Sequence, residues 1–193
     1  MKKSLKQIAL VSAILFSSSI AVSALDLTKA YDMPDASKLI EKDLLQPPKK
    51  FTMPKSCKLD DADAIARGEY IFHNLNGKKA KKTPPKGLVK FIEKKDKEGK
   101  VKKVAKQFGN CVACHNIEGA VGGGNIGPDL TGYKAIFVDS KTRDANFVYQ
   151  KIADPRIDNP KTHMTVNLTT KLFNESEICD LTAYVMSDKS AKK

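Results

Sequence analysis

The sequence predicts an all-α domain threaded by long loops. Three observations carry this. Apolar residues recur at helical spacing near residues 60–75 and again near 174–186. No segment alternates apolar and polar residues as a half-buried strand would. A glycine-rich loop, Gly119 to Gly132, and several proline-containing stretches fill the interval between the helices. The length, 193 residues, suits one compact domain with additions.

Residues 1–24 have the form of a secretory signal. Lys2, Lys3 and Lys6 make a positive start, Ile8 to Phe16 is an apolar run too short to span a bilayer, and small residues end at Ala24. The expectation is cleavage near Ala24 and a periplasmic protein, an uncleaved anchor being the alternative. Residues 25–59 form an arm with Met33-Pro34, Pro47-Pro48 and Met53-Pro54 and no sustained periodicity, suited to wrapping the domain or reaching a partner. The main domain spans 60–187, followed by a basic tail over 188–193.

A first helix starts at Asp60 or Asp61, which suit capping, and carries Ile65, Gly68, Phe72 and Leu75 on one face. Asn76-Gly77 stops it. A lysine-rich insertion, 77–106, follows. It holds 13 lysines against Glu93, Asp96 and Glu98, a net of +10, out of +12 for the whole chain. The basic character therefore belongs to one segment. Its end, Lys102 to Asn110, reads as basic and helix-like. A middle helix is expected from about Thr142 to Ala153, stopped by Pro155. The last helix starts at Asn174 with Glu177 three residues on, a capping-box pattern, and Ile178, Leu181, Tyr184 and Val185 form its apolar face.

Cys111-Val112-Ala113-Cys114-His115 has the C-x-x-C-H spacing that fixes a c-type haem. Two thiols on a short turn each form a thioether to the porphyrin edge, and the adjacent imidazole reaches the iron. A redox dithiol would want a preceding strand. A zinc site would want a second cysteine pair, whereas only the distant Cys57 and Cys179 remain. Gly122, Gly124 and Gly127 match G-x-G-x-x-G, but that dinucleotide fingerprint needs a strand before and a helix after it. The glycines are better read as letting backbone lie close to a flat cofactor.

The lysines lack the interleaved aromatics of a nucleic-acid site. They are read as a solvated insertion that adds some steering toward an acidic protein partner, in preference to contact with a membrane surface.

With these elements in hand the chain resembles a class I cytochrome c. In that family the first and last helices cross through a glycine and an aromatic, roles that fall to Gly68 and Phe72 against Leu181 and Tyr184. Gly127-Pro128-Asp129-Leu130 matches the segment beside the haem whose proline carbonyl accepts a hydrogen bond from the proximal imidazole. The resemblance thus implies one covalent haem c, held by Cys111, Cys114 and His115, with Pro128 and Leu130 against it. Because the helices would cross, Cys57 and Cys179 could meet, and in an oxidising compartment a disulfide is the leading reading. Buried free thiols, or a bond to a partner, are the alternatives.

A narrower resemblance rests on an ordered set: Phe108-Gly109-Asn110, Gly124 to Leu130, Ile152 to Arg156, and Asn159-Pro160-x-Thr162-x-Met164. It is similar to the SoxX family, the monohaem subunits of SoxAX complexes in thiosulfate oxidation. This implies a heterodimer with a SoxA-type cytochrome subunit. That subunit carries the active cysteine of an L-cysteine S-thiosulfotransferase, and this chain would be its non-catalytic haem subunit. A SoxYZ-type carrier and a soluble acceptor cytochrome would be transient partners. The family's distal ligand falls on Met164, a soft neutral thioether. This chain departs from the pattern with Thr165 where proline is usual, and His163 is an alternative donor. Another group or an open site remains a further alternative. Met186 is read as core, Met33 and Met53 as packing or surface residues, and His73 as a helix-end histidine. Two other functions compete: a free-standing electron shuttle, and a haem enzyme or sensor with an open distal site.

Overall fold

The computed structural model describes residues 47–189. The expected signal at 1–24, the first part of the arm with Met33, and the tail from 190 lie outside the described residues.

Helix α1 spans Ala62–His73, and helix α4 spans Glu175–Met186. Asp61 opens α1 by accepting the Ala64 N–H at 2.8 Å. Asn174 and Glu177 open α4 with a reciprocal capping box. The two helices cross at Gly68, where a Cβ would lie 2.0 Å from the Asp180 carbonyl oxygen. Only glycine permits that approach. Around the crossing Ile71, Phe72, Leu181 and Tyr184 are buried, with the Phe72 and Tyr184 rings 5.4 Å apart. Full burial of each such side chain stabilises by roughly 1.5–3 kcal/mol. Leu75, assigned to the same face, lies beyond the helix end and is exposed. Met186 packs partly buried against the core.

Polar contacts fix the crossing further. Arg67 grips Asp180 through two hydrogen bonds of 2.8 Å. His73 Nε2 and the Tyr184 hydroxyl lie 2.8 Å apart, so the helix-end histidine ties the two helices together. Cys57 and Cys179 are disulfide-bonded, with Cα atoms 5.2 Å apart.

Helix α2, Ala145–Ala153, starts after Asp144 rather than at Thr142, because Asp144 accepts the Phe147 N–H at 2.8 Å. It packs on α4. Pro155 then opens a 3-10 turn, Pro155–Ile157, and a short helix α3 spans Val166–Thr170. The described part of the arm runs along α2. Lys49, Phe51 and Met53 donate their N–H groups to Asp154, Gln150 and Asn146 at 3.0, 2.6 and 2.7 Å. Every second backbone donor is thus matched to a side chain of the helix or its C-cap. Here the arm wraps the domain.

The lysine-rich segment corrects the all-α expectation. It folds as an antiparallel hairpin of β1, Phe91–Lys95, and β2, Val101–Ala105, paired from Phe91 with Ala105 to Lys95 with Val101. The stretch read as helix-like is therefore partly strand. Asp96 builds the turn by accepting the N–H groups of Glu98 and Lys100, and Gly99 supplies a φ of +80°. The base is stitched to the domain: Gly77 N donates to the Lys106 carbonyl at 2.8 Å, Lys90 Nζ to the Ala80 carbonyl at 2.8 Å, and Lys106 pairs with Glu177 at 2.7 Å.

Candidate haem site

The approach to the cysteine motif is fixed by α1. Phe108 is buried, edge-on to Tyr70, and the Gly109 N–H donates to the Ile71 carbonyl at 3.1 Å. A Cβ on Gly109 would lie 2.7 Å from Cys111 Sγ and 2.9 Å from the Phe173 ring. Asn110 takes a left-handed conformation (φ 47°) and turns the chain into a 3-10 turn, Cys111–Ala113. The N–H groups of Cys114 and His115 both return to the Cys111 carbonyl, at 3.0 and 2.9 Å. Two thiols and an imidazole thus share one rigid turn.

The glycine loop closes over this turn. Gly124 N donates to the Val112 carbonyl, Gly127 N to the Cys114 carbonyl and Leu130 N to the Asn116 carbonyl, at 2.9, 2.8 and 2.8 Å. A Cβ on Gly124 would sit 2.1 Å from the Ala113 carbonyl oxygen, and one on Gly127 would sit 2.4 Å from His115 Cε1. These two glycines press against the motif and its imidazole. The 3-10 turn of the motif, not a strand, leads into them, and no α-helix follows directly, so the dinucleotide reading has no structural basis. Leu130 is half-buried against the core.

His115 Nδ1 donates to the Pro128 carbonyl at 2.8 Å. With Nδ1 carrying the proton, Nε2 keeps its lone pair for a metal, and the ring is held in one orientation. Desolvation of the inward-turned Cys111 sulfur pushes its thiol up to about 12. The remaining cysteines are consumed in the disulfide, and no other His, Cys, Asp and Glu cluster among the described residues could hold a metal.

Met164 and His163 lie on the loop entering α3, both exposed. That loop is shaped locally: Thr162 N donates to the Asn159 carbonyl, Met164 N to Thr162 Oγ1 and Thr165 N to the His163 carbonyl, at 3.1, 3.1 and 2.9 Å. Sequence reasoning passed over Phe173, which packs on Gly109, and Glu118. Glu118 Oε1 accepts the Gly132 N–H at 2.6 Å and closes the loop, while Oε2 is buried without a partner. A carboxylate three residues after the imidazole was the available signal.

The donor set fits haem c: paired thiols for thioethers, one imidazole with its metal-side nitrogen free, and glycines that keep the loop tight against the motif. Residues 100–189 match the family model described as Cytochrome c. This stretch, a little under half of the chain, is similar to a cytochrome c domain. No curated protein matches the chain. A cytochrome c domain implies covalently attached haem c, which the donor set here fits, and supports a role in electron transfer. Cytochrome c domains are typically exported, and no helix among the described residues is long and apolar enough to cross a membrane.

Proposed function

We propose that the chain is the monohaem electron-transfer subunit of a SoxAX-type complex in the periplasm. The observation that carries this reading is the ordered set of segments from Phe108 to Met164 around one haem motif. Three of those segments have defined work in the fold. Gly109 lets Cys111 pack beneath α1, Gly124 to Leu130 orients the imidazole, and Asp154 with Arg156 anchors the arm.

Bound haem c supplies a one-electron carrier. The protein's part is to hold it and set its potential. Cys111 and Cys114 would bind it covalently, His115 would be the proximal ligand, and Met164 the distal ligand, with His163 the competing donor. The thioether would favour ferrous iron and raise the potential relative to two imidazoles. Oxidative coupling of thiosulfate to a carrier cysteine would take place on the SoxA-type partner. This subunit would accept the electrons and pass them to a soluble cytochrome.

The test is purification of the haem-loaded chain from its native compartment, followed by thiosulfate-dependent haem reduction. The reading expects a one-to-one complex with a second c-type cytochrome, active only when both are joined. A monomer that never associates, yet exchanges electrons with other cytochromes, would establish the free-standing shuttle instead.

A further inference from the structure

The lysine-rich hairpin takes no part in the haem site. The Cα traces of β1 and β2 approach no helix, and the hairpin is joined to the helical domain at its base. Strand alternation and the pairing register place Phe91, Glu93 and Lys95 on one face with Val101, Lys103 and Ala105. The opposite face carries Ile92 and Val104, both partly buried. On the first face Phe91 and Val101 are 41% and 53% exposed. Val89, just before β1, is 51% exposed. The Lys103 ammonium lies 5.4 Å from the Phe91 ring centre.

Two kinds of partner carry the opposite charge: an acidic protein and an anionic bilayer. Steering toward an acidic protein needs only the lysines and leaves the exposed Phe91 and Val101 without a role. The lysines also occupy both faces, with no single patterned patch. The turn acid Asp96 is committed to two backbone N–H groups and to Lys102. A net-positive hairpin with apolar side chains at both ends of one face, Phe91 and Val101, and with Glu93 directly opposite Lys103 between them, suits a fluid layer of anionic headgroups, which rearranges to meet it. Lysine stems lie along apolar surface while their ammonium groups reach phosphate, and the apolar side chains enter the boundary beneath.

We infer that the Phe91–Val101 face of this hairpin docks on a bilayer containing anionic phospholipid. Such docking is peripheral and reversible, and it holds the haem domain at a membrane surface. It does not depend on which protein partner the haem serves.

The test is co-sedimentation of the haem-loaded full chain with vesicles of phosphatidylcholine alone and of phosphatidylcholine mixed with phosphatidylglycerol. Binding is expected only to the mixed vesicles and is expected to weaken as salt rises. Phe91→Ser with Val101→Ser, and separately Lys95→Glu with Lys103→Glu, should each lower the partition coefficient about tenfold. Each variant is compared at full haem loading and an unchanged reduced spectrum. Absence of binding, equal binding to both vesicle types, or Phe91→Ser with Val101→Ser pelleting like the parent would overturn the inference. Soluble polyglutamate is the second probe. If it binds the chain while the mixed vesicles do not, the surface belongs to an acidic protein.

Discussion

Gly127 lies so close to the His115 imidazole that a methyl group on its Cα would stand 2.4 Å from Cε1. The same loop presents the Pro128 carbonyl to Nδ1 at 2.8 Å. One short segment therefore sets both the position of the ring and its hydrogen bond. In Gly127→Ala the ring or the loop must move, and the bond to Pro128 is lost or stretched. With His115 as the proposed proximal ligand, losing it would make the imidazole a poorer donor to ferric iron. The midpoint potential should rise, and imidazole ligation should weaken by roughly tenfold. Redox titration and the visible spectrum of the purified variant check both.

Met164→Ala tests the distal side. If Met164 is the sixth ligand, the reduced variant turns high-spin and binds carbon monoxide, while His163→Ala keeps the parent spectrum. The reverse pattern would assign the ligand to His163.

The Cys57–Cys179 bond joins residues 122 positions apart. On the chain-entropy view such a closure contributes about 5 kcal/mol by restricting the unfolded chain. The Cys57→Ser and Cys179→Ser double variant should unfold at a markedly lower denaturant concentration than the oxidised parent. Adding reductant should affect the parent and leave the variant unchanged.

Asp154 links stability to pH. Burial opposes its ionisation, but hydrogen bonds from the Arg156 side chain and from the Lys49 and Arg156 N–H groups outweigh it. They hold the carboxyl below the ordinary value of 3.8. The folded form thus has the lower pKa, so the contribution is complete above about pH 4 and is lost as pH falls through the folded value. Asp154→Asn should be less stable than the parent at neutral pH and should lose less on acidification. Denaturation series across acidic pH read this directly.

Arg67 and Asp180 meet where α1 and α4 cross, with the Asp180 side chain only 5% exposed. Arg67→Met would leave a buried carboxylate without its cation and should cost about 3 kcal/mol, measured by chemical denaturation.

Much of this was legible in local chemistry. Asp61 and the pair Asn174 and Glu177 start helices because a side-chain oxygen beside a free N–H is a local event. The cysteine motif is likewise read from five consecutive residues. The hairpin was not legible because lysines occupy both of its faces, which erases the alternation that marks a strand. Val101 and Val104, three residues apart, imitate a helical stripe, although one faces outward and the other inward. The contacts of Lys49, Phe51 and Met53 with α2 run through backbone N–H groups, which every residue but proline carries. The pairing of Arg67 with Asp180 depends on the crossing that Gly68 permits, so it emerges only when the helices are assembled.

The bond from Cys57 to Cys179 makes the intervening chain a covalent ring, and that ring contains the hairpin, the haem motif and α2. A protease that cuts once at the hairpin turn would open the ring without releasing a piece. The two fragments would part only under reducing conditions, and the haem would travel with the C-terminal one.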